Sequence, residues 1–96
     1  MFVHIVVWRV KPETSVEDRL KCKTLLEGLN DRIAGVVKIE VGVDTLHGPN
    51  SGDISLYSVF ESRAAYETYL THPDHEAVKP HFAGLVSERR IVDYDI

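Results

Sequence analysis

Three side chains of this sequence have chemical types that acid–base chemistry on a small molecule can use. His4 lies near the start, and Tyr69 and His75 belong to a Tyr-x-x-His-Pro-x-His pattern. Histidine changes charge near neutral pH, so it serves as a general base without special tuning. A tyrosine hydroxyl can orient that base or polarise a carbonyl, and a dry cavity strengthens both interactions. In a catalytic role we expect His75 to be the base, Tyr69 its orienting or electrophilic partner, and His4 a second polar anchor.

The same residues also have purely structural interpretations. A lone histidine on an apolar strand face, such as His4, is often a core residue that one hydrogen bond satisfies. Tyr69 lies in an aromatic stripe that packing alone explains. His72, which a proline follows, is expected to cap or turn the chain, and His47 and His81 are expected at the surface. Both interpretations stay open at the level of sequence.

Ligand contacts and a metal site are the next possibilities. Trp8, Tyr57 and Phe82 are predicted to bind a substrate, although filling of the core explains them as well. Several potential metal ligands cluster late in the chain: His72, Asp74, His75, Glu76 and His81. Their spacing matches no zinc or transition-metal pattern, and two prolines interrupt the helical face. We therefore predict no metal and no cofactor.

The composition indicates an ordinary globular domain and argues against several classes of partner. The chain has 96 residues, which we assign to one domain covering 1–96, and a net charge of −4 with both signs dispersed. This charge argues against nucleic acid or an anionic membrane, and the adjacent Arg89 and Arg90 point to opposite faces of a strand. No run of about 18 apolar residues and no signal-peptide pattern is present. Cys22 is the single cysteine, which fits a cytoplasmic location.

Hydrophobic periodicity places the candidate residues on strands and helices in a defined order. Strands alternate with period two, and helices repeat apolar residues every three or four positions. Capping-box spacing at Thr14 and a stop signal at Gly35 bound the first helix, and Ser62 caps a second, which breaks before Pro73. The predicted strands cover 2–11, 36–44, 54–60 and 87–94, and the first helix covers 15–34. The order βαββαβ predicts an α+β, ferredoxin-like fold, a four-stranded antiparallel sheet with helices on one face.

The first predicted strand is apolar on both of its faces. One face carries Phe2, His4, Val6, Trp8 and Val10, and the other carries Val3, Ile5 and Val7. A strand with one solvated face alternates apolar and polar residues, so this strand is expected to be buried on both sides. Helices cover only one face of such a sheet. We expect a second subunit to cover the face with Phe2, Val6 and Trp8, packing sheet on sheet in a homodimer.

Four segments of the chain match the pattern of a known family. They cover residues 4–11, 38–44, 60–75 and 91–94. Together they resemble the stress-responsive A/B barrel proteins, or Dabb proteins, which are dimeric α+β barrels. The resemblance covers essentially the whole chain. It implies the dimeric α/β barrel fold and implies little about activity, because most such proteins have no assigned reaction.

One plant member of that family, olivetolic acid cyclase, closes a linear polyketide by aldol condensation without a metal. It uses a histidine and a tyrosine in the barrel pocket. The resemblance carries three of its pocket positions onto His4, Tyr69 and His75. At two other pocket positions this chain has aliphatic residues: Leu25 or Leu26, and Ile54.

Two classes of function remain after these observations. The first is a homodimer that binds a small apolar or aromatic molecule in the barrel without turnover. The second is a cofactor-free lyase, cyclase or isomerase of polyketide-like or aromatic carbonyl compounds, with a His/Tyr acid–base pair. We favour the first, because the pocket residues of the cyclase are only partly present.

Overall fold

The chain forms a four-stranded antiparallel sheet with a helical layer on one side. The computed structural model describes residues 1–96. Its elements are β1 (Phe2–Val10), α1 (Val16–Glu27), β2 (Val36–Val43), β3 (Ile54–Phe60), α2 (Arg63–Thr71), α3 (Pro73–Glu76), α4 (Lys79–Ala83) and β4 (Val86–Asp95). The sheet order is β2-β3-β1-β4, and all three pairings are antiparallel. This is the predicted α+β, ferredoxin-like plan, with the second helical region divided into three short helices. None of these helices has the length and apolar character needed to cross a membrane.

The helices cover the face of β1 that we had assigned to a second subunit. Phe2, Val6 and Trp8 are buried in the chain's own core, beneath the helical layer. The other side of the sheet, which we call the open face, carries the exposed side chains of Val7, Tyr57, Val92 and Tyr94. Because both faces of β1 are apolar, its sequence pattern predicts burial on both sides but not which side the helices occupy. The face assignment in the prediction was therefore wrong.

Helix α1 ends at Glu27, earlier than the predicted position 34, because Asn30 binds the backbone of β2. The Asn30 amide nitrogen donates to the Ile39 carbonyl at 2.8 Å, and its amide oxygen accepts from the Ile39 N–H at 2.9 Å. These two bonds hold the chain in a turn. Leu29 and Ile33 nevertheless remain buried in the core. The apolar repeat was correct about burial and wrong about the length of the helix.

Side-chain caps set the other helix boundaries. Ser15 caps α1 by accepting a backbone N–H of the first turn, so the prediction that placed this cap at Thr14 was one residue off. Ser62 caps α2 as predicted. His72 Nδ1 accepts a backbone N–H at 3.0 Å and so caps α3, with Pro73 in its first turn. Beyond this break, Val78 and Phe82 pack into the core.

Candidate ligand pocket

A cavity of about 530 Å³ lies between the sheet and the helical layer, and we call it the helix-side pocket. Of its 16 lining residues, 12 are hydrophobic. The other four are His4, His75, Lys79 and Arg89. Ligand pockets span roughly 300–1,000 Å³ and combine apolar walls with a few polar groups. The helix-side pocket therefore has the size and lining of a small-molecule site.

His4 is buried on the helix side of β1 and pairs with an acidic residue of β4. Its Nδ1 lies 2.5 Å from Oδ1 of Asp93, which is directly opposite in the β1–β4 register. A carboxylate only accepts hydrogen bonds, so Nδ1 carries the hydrogen of this bond. The ring of Tyr66 packs against the imidazole with 4.8 Å between centroids. His4 is thus a histidine of fixed orientation in the pocket wall.

Tyr69, on α2, is a lining residue of the pocket with a buried, unpaired hydroxyl. The residue is 1% exposed, and its Oη has no hydrogen-bond partner. Burial raises the pKa of Tyr69 far above its ordinary value, and a neighbouring tyrosine, Tyr66, adds to the effect. The hydroxyl therefore stays protonated and able to donate. A buried polar group without a partner costs about 1–3 kcal/mol, so this hydroxyl is positioned at a cost in stability.

His75, on α3, stacks against Tyr69 with 4.3 Å between ring centroids. Its Nδ1 lies 3.2 Å from the carbonyl oxygen of Leu70. Because a carbonyl only accepts, Nδ1 donates and Nε2 is left with a lone pair. Burial lowers the pKa of His75 below its ordinary value of 6.5, and this effect outweighs the opposing bond to Leu70. His75 is therefore neutral at pH 7.

The sequence of the whole chain identifies its family. A sequence model described as the stress responsive A/B barrel domain matches residues 2–96. The chain belongs to the Dabb family. A dimeric protein of unknown function with a ferredoxin-like fold, from Bacteroides fragilis, is 32% identical to it. The match covers 99% of this chain and 95% of that chain, with a TM-score of 0.84. No curated protein matches the chain in sequence.

Two more distant solved structures share the fold. A dimeric ferredoxin-like protein of unknown function from Thermobifida fusca is 20% identical, covers 99% of this chain and 90% of its own, and has a TM-score of 0.89. The hydroxynitrile lyase from Passiflora edulis is 19% identical, covers 99% of this chain and 92% of its own, and has a TM-score of 0.83. At these identities the likeness shows the fold of a Dabb protein and nothing about its chemistry.

In this Dabb chain the three residues singled out for chemistry line one pocket. The sequence left open whether His4, Tyr69 and His75 meet, and all three are lining residues of the helix-side pocket. Trp8 and Phe82 line it as well, with 5.0 Å between their ring centroids. The roles of these residues stay predictions.

Other sequence expectations need correction. Tyr57 lies opposite Ile5 in the register of β1 and β3, on the open face, so it does not line the helix-side pocket. Its place follows from strand alternation, because its neighbours in β3 point to the core. His81, expected at the surface, is half-buried, and its Nε2 lies 2.9 Å from the carbonyl oxygen of Asp18. His47 is exposed as expected.

Sequence reasoning missed one residue beside the pocket, Asp93. Asp93 shares a face of β4 with Ile91, a lining residue, so alternation along this strand could have drawn attention to it. Tyr66 lies three residues before Tyr69 on α2, where helical spacing places both on one face. No group of three or more His, Cys, Asp or Glu side chains is placed to hold a metal ion.

Proposed function

We propose that this Dabb protein binds a small, mainly apolar carbonyl compound in the helix-side pocket. The observation that carries the proposal is Tyr69, a residue of the pocket lining whose buried hydroxyl has no partner. Buried polar groups are nearly always hydrogen-bonded in folded proteins. A ligand carbonyl oxygen supplies the missing acceptor. The ligand's hydrocarbon body replaces water along the apolar walls.

The walls favour an aromatic or alicyclic body over a flexible polar one. Trp8 and Phe82 form one aromatic part of the lining, and Tyr66, Tyr69 and His75 form another. Aromatic rings pack well against other rings in tilted or offset arrangements with centroids about 4.5–7 Å apart. A ring system held in this way brings a carbonyl substituent within reach of the polar groups.

The second candidate is a cofactor-free lyase, cyclase or isomerase of such carbonyl compounds. It is favoured by His75, which is neutral, keeps a free Nε2 and stacks on Tyr69. In this reaction class Nε2 removes a proton from the carbon beside the carbonyl, and the electron pair of the C–H bond moves into an enolate. The Tyr69 O–H donates to the carbonyl oxygen, where the negative charge develops. The proton then returns from His75 to carbon.

We also propose that the protein works as a cytoplasmic homodimer. The relative from Bacteroides fragilis, 32% identical, is a dimeric protein. The apolar open face of the sheet offers a surface that a second copy can cover. Cys22 is fully buried, and burial raises the pKa of its thiol to about 11. A thiol held in its protonated form is unreactive, which suits a chain without disulfides.

The binding proposal is tested with 1-tetralone, an aromatic ketone, and two matched tyrosine variants. Tyr69→Phe removes the unpaired hydroxyl from the pocket, and Tyr57→Phe removes an exposed hydroxyl from the open face. We expect calorimetry to detect tetralone binding, weakened about fivefold by Tyr69→Phe and unchanged by Tyr57→Phe. Tyr69→Phe should also stabilise the ligand-free protein by about 1 kcal/mol in urea unfolding, since it removes an unsatisfied group.

Two outcomes contradict the proposal. Absence of any tetralone binding at millimolar concentration argues against a carbonyl site, and equal affinities of both variants argue against the Tyr69 contact. The same samples in D₂O test the second candidate, because a base beside the carbonyl exchanges the C2 hydrogens of tetralone for deuterium. Exchange that is lost in His75→Ala and kept in His47→Ala supports catalysis. Binding without exchange supports only the binding function.

A further inference from the structure

One charged residue of the helix-side pocket has no role in the function proposed above. Arg89 lies on β4 opposite Trp8, and it is one of the residues that line the pocket. Its neighbour Arg90 points to the other side of the sheet and pairs with Glu88 at 2.8 Å. The two adjacent arginines therefore differ in both face and partner.

Arg89 is the one cation of the pocket without a counter-charge. Lys79 also lines the pocket, but its Nζ lies 2.7 Å from Oε1 of Glu76. No Asp or Glu oxygen lies within 4.0 Å of the Arg89 guanidinium, in a protein whose net charge is −4. An unpaired guanidinium at an apolar cavity can bind a carboxylate in a bidentate manner, through two parallel N–H···O hydrogen bonds.

The nearest acidic group on the same strand face is already engaged. Asp93 is bonded to His4, four residues along β4 from Arg89. Four strand residues span about 13 Å, so the backbones of Asp93 and Arg89 are well separated along β4. The Arg89 charge is nevertheless felt inside the cavity, because it opposes the burial that raises the pKa of Tyr66.

We infer that the ligand of this pocket is an organic acid, with an apolar ring body and a carboxylate that pairs with Arg89. The inference rests on the proposed function, since it assigns a charge to the same ligand. The carboxylate lies at the Trp8 end, and the carbonyl or hydroxyl group of the ligand reaches Tyr69. A neutral ligand of the same shape leaves Arg89 unpaired and binds more weakly.

The test compares an acid with its neutral amide: 1,2,3,4-tetrahydro-2-naphthoate and the corresponding carboxamide. Trp8 is the single tryptophan of the chain and lines the pocket, so its fluorescence reports occupancy by either probe. We expect the acid to bind wild type about tenfold more tightly than the amide. Arg89→Gln should remove this preference, whereas Arg90→Gln, the matched control, should keep it. The preference should shrink in about 1 M salt, because ions screen a partly exposed pair.

The outcomes separate the two proposals. Equal affinities of acid and amide for wild type overturn the acid assignment and leave the pocket intact. An acid preference that survives in Arg89→Gln also overturns the acid assignment to Arg89, because another group then binds the carboxylate. Absence of binding by both probes overturns the pocket itself. Circular dichroism of both variants verifies folding, which the exposed positions of Arg89 and Arg90 favour.

Discussion

At the scale of single residues, the pocket contains two histidines, and a different acceptor fixes the Nδ1 atom of each. Nδ1 of His4 is bonded to the Asp93 carboxylate, and Nδ1 of His75 is bonded to the Leu70 carbonyl. In both rings Nε2 is therefore the nitrogen that makes no hydrogen bond to the protein. Only His75 lacks an acidic hydrogen-bond partner, and its loss of hydration on burial outweighs the opposing effects of the Leu70 bond and the Glu76 charge on its pKa. The fold accordingly favours the uncharged form of His75.

This preference predicts a pH dependence of stability. The folded-state pKa of His75 lies below its ordinary value of 6.5. Below that pH the unfolded chain binds a proton before the folded chain does, so the stability contributed by neutral His75 is lost as pH falls. We expect the free energy of unfolding to fall less steeply between about pH 6.5 and 5 in His75→Gln than in wild type. Urea unfolding at a series of pH values measures this slope.

The slope must be compared with that of a matched variant. His47→Gln removes an exposed histidine, and its slope should equal that of wild type. His4, Glu76 and Lys79 also act on the His75 charge, and Gln at position 75 leaves all three in place. A His75→Gln slope identical to wild type would mean that His75 is hydrated in solution.

The sequence predicted the chemistry-bearing residues better than their partners. His4, Tyr69 and His75 were identified from type and motif, and all three line the pocket. Asp93 was missed because it is 89 residues from His4 and meets it only through the β1–β4 register. Tyr57 was misassigned although the alternation of β3 places it on the face opposite Leu56 and Ser58. Residue types are thus visible in a sequence, whereas pairings between distant strands are not.

At the scale of elements, the junction of β2 with α2 depends on one glycine. Gly35 has a φ of 87°, which side chains with a Cβ adopt at a cost. A Cβ there would lie 2.6 Å from the Cβ of Ala65 on α2. We expect Gly35→Ala to destabilise the protein by about 2 kcal/mol or more, from backbone strain and overpacking together. Thermal and urea unfolding measure the loss.

A second glycine provides the control for that prediction. Gly84 has a φ of −79°, and a Cβ added there would meet no atom within 4 Å. Gly84→Ala should therefore change stability by less than about 1 kcal/mol, in the favourable direction. Adding Ala65→Gly to Gly35→Ala should recover part of the loss by removing the steric contact. Equal stabilities of Gly35→Ala and Gly84→Ala would show that α2 does not pack this closely on the start of β2.

The elements themselves followed from the sequence to different degrees. All four strands lie within one residue of their predicted bounds. The helices were harder to bound. The end of α1 depends on the bonds between Asn30 and Ile39, and a helical repeat carries no information about such a contact. Local caps such as Ser62 and breaks such as Pro73 were predictable, since their cause lies within a few residues.

At the scale of the whole molecule, the apolar open face is the feature that a single chain leaves unexplained. Val92, on the edge strand β4, is 60% exposed, and it lies opposite Ile5 near other exposed apolar side chains of this face. In a twofold dimer whose sheets pack face to face, each residue of the open face is buried in both subunits. Wild type is therefore expected to sediment as a dimer at micromolar concentration.

A charge on the open face should dissociate this dimer. Val92→Asp places two carboxylates in the interface, and desolvation and repulsion should weaken association roughly 100-fold. Val16→Asp is the matched control, because Val16 is 66% exposed in the first turn of α1, where an acidic side chain is favourable. A wild-type monomer would rule out the homodimer. A dimer that survives in Val92→Asp would move the interface elsewhere, and the doubly apolar β1 would then need a different partner.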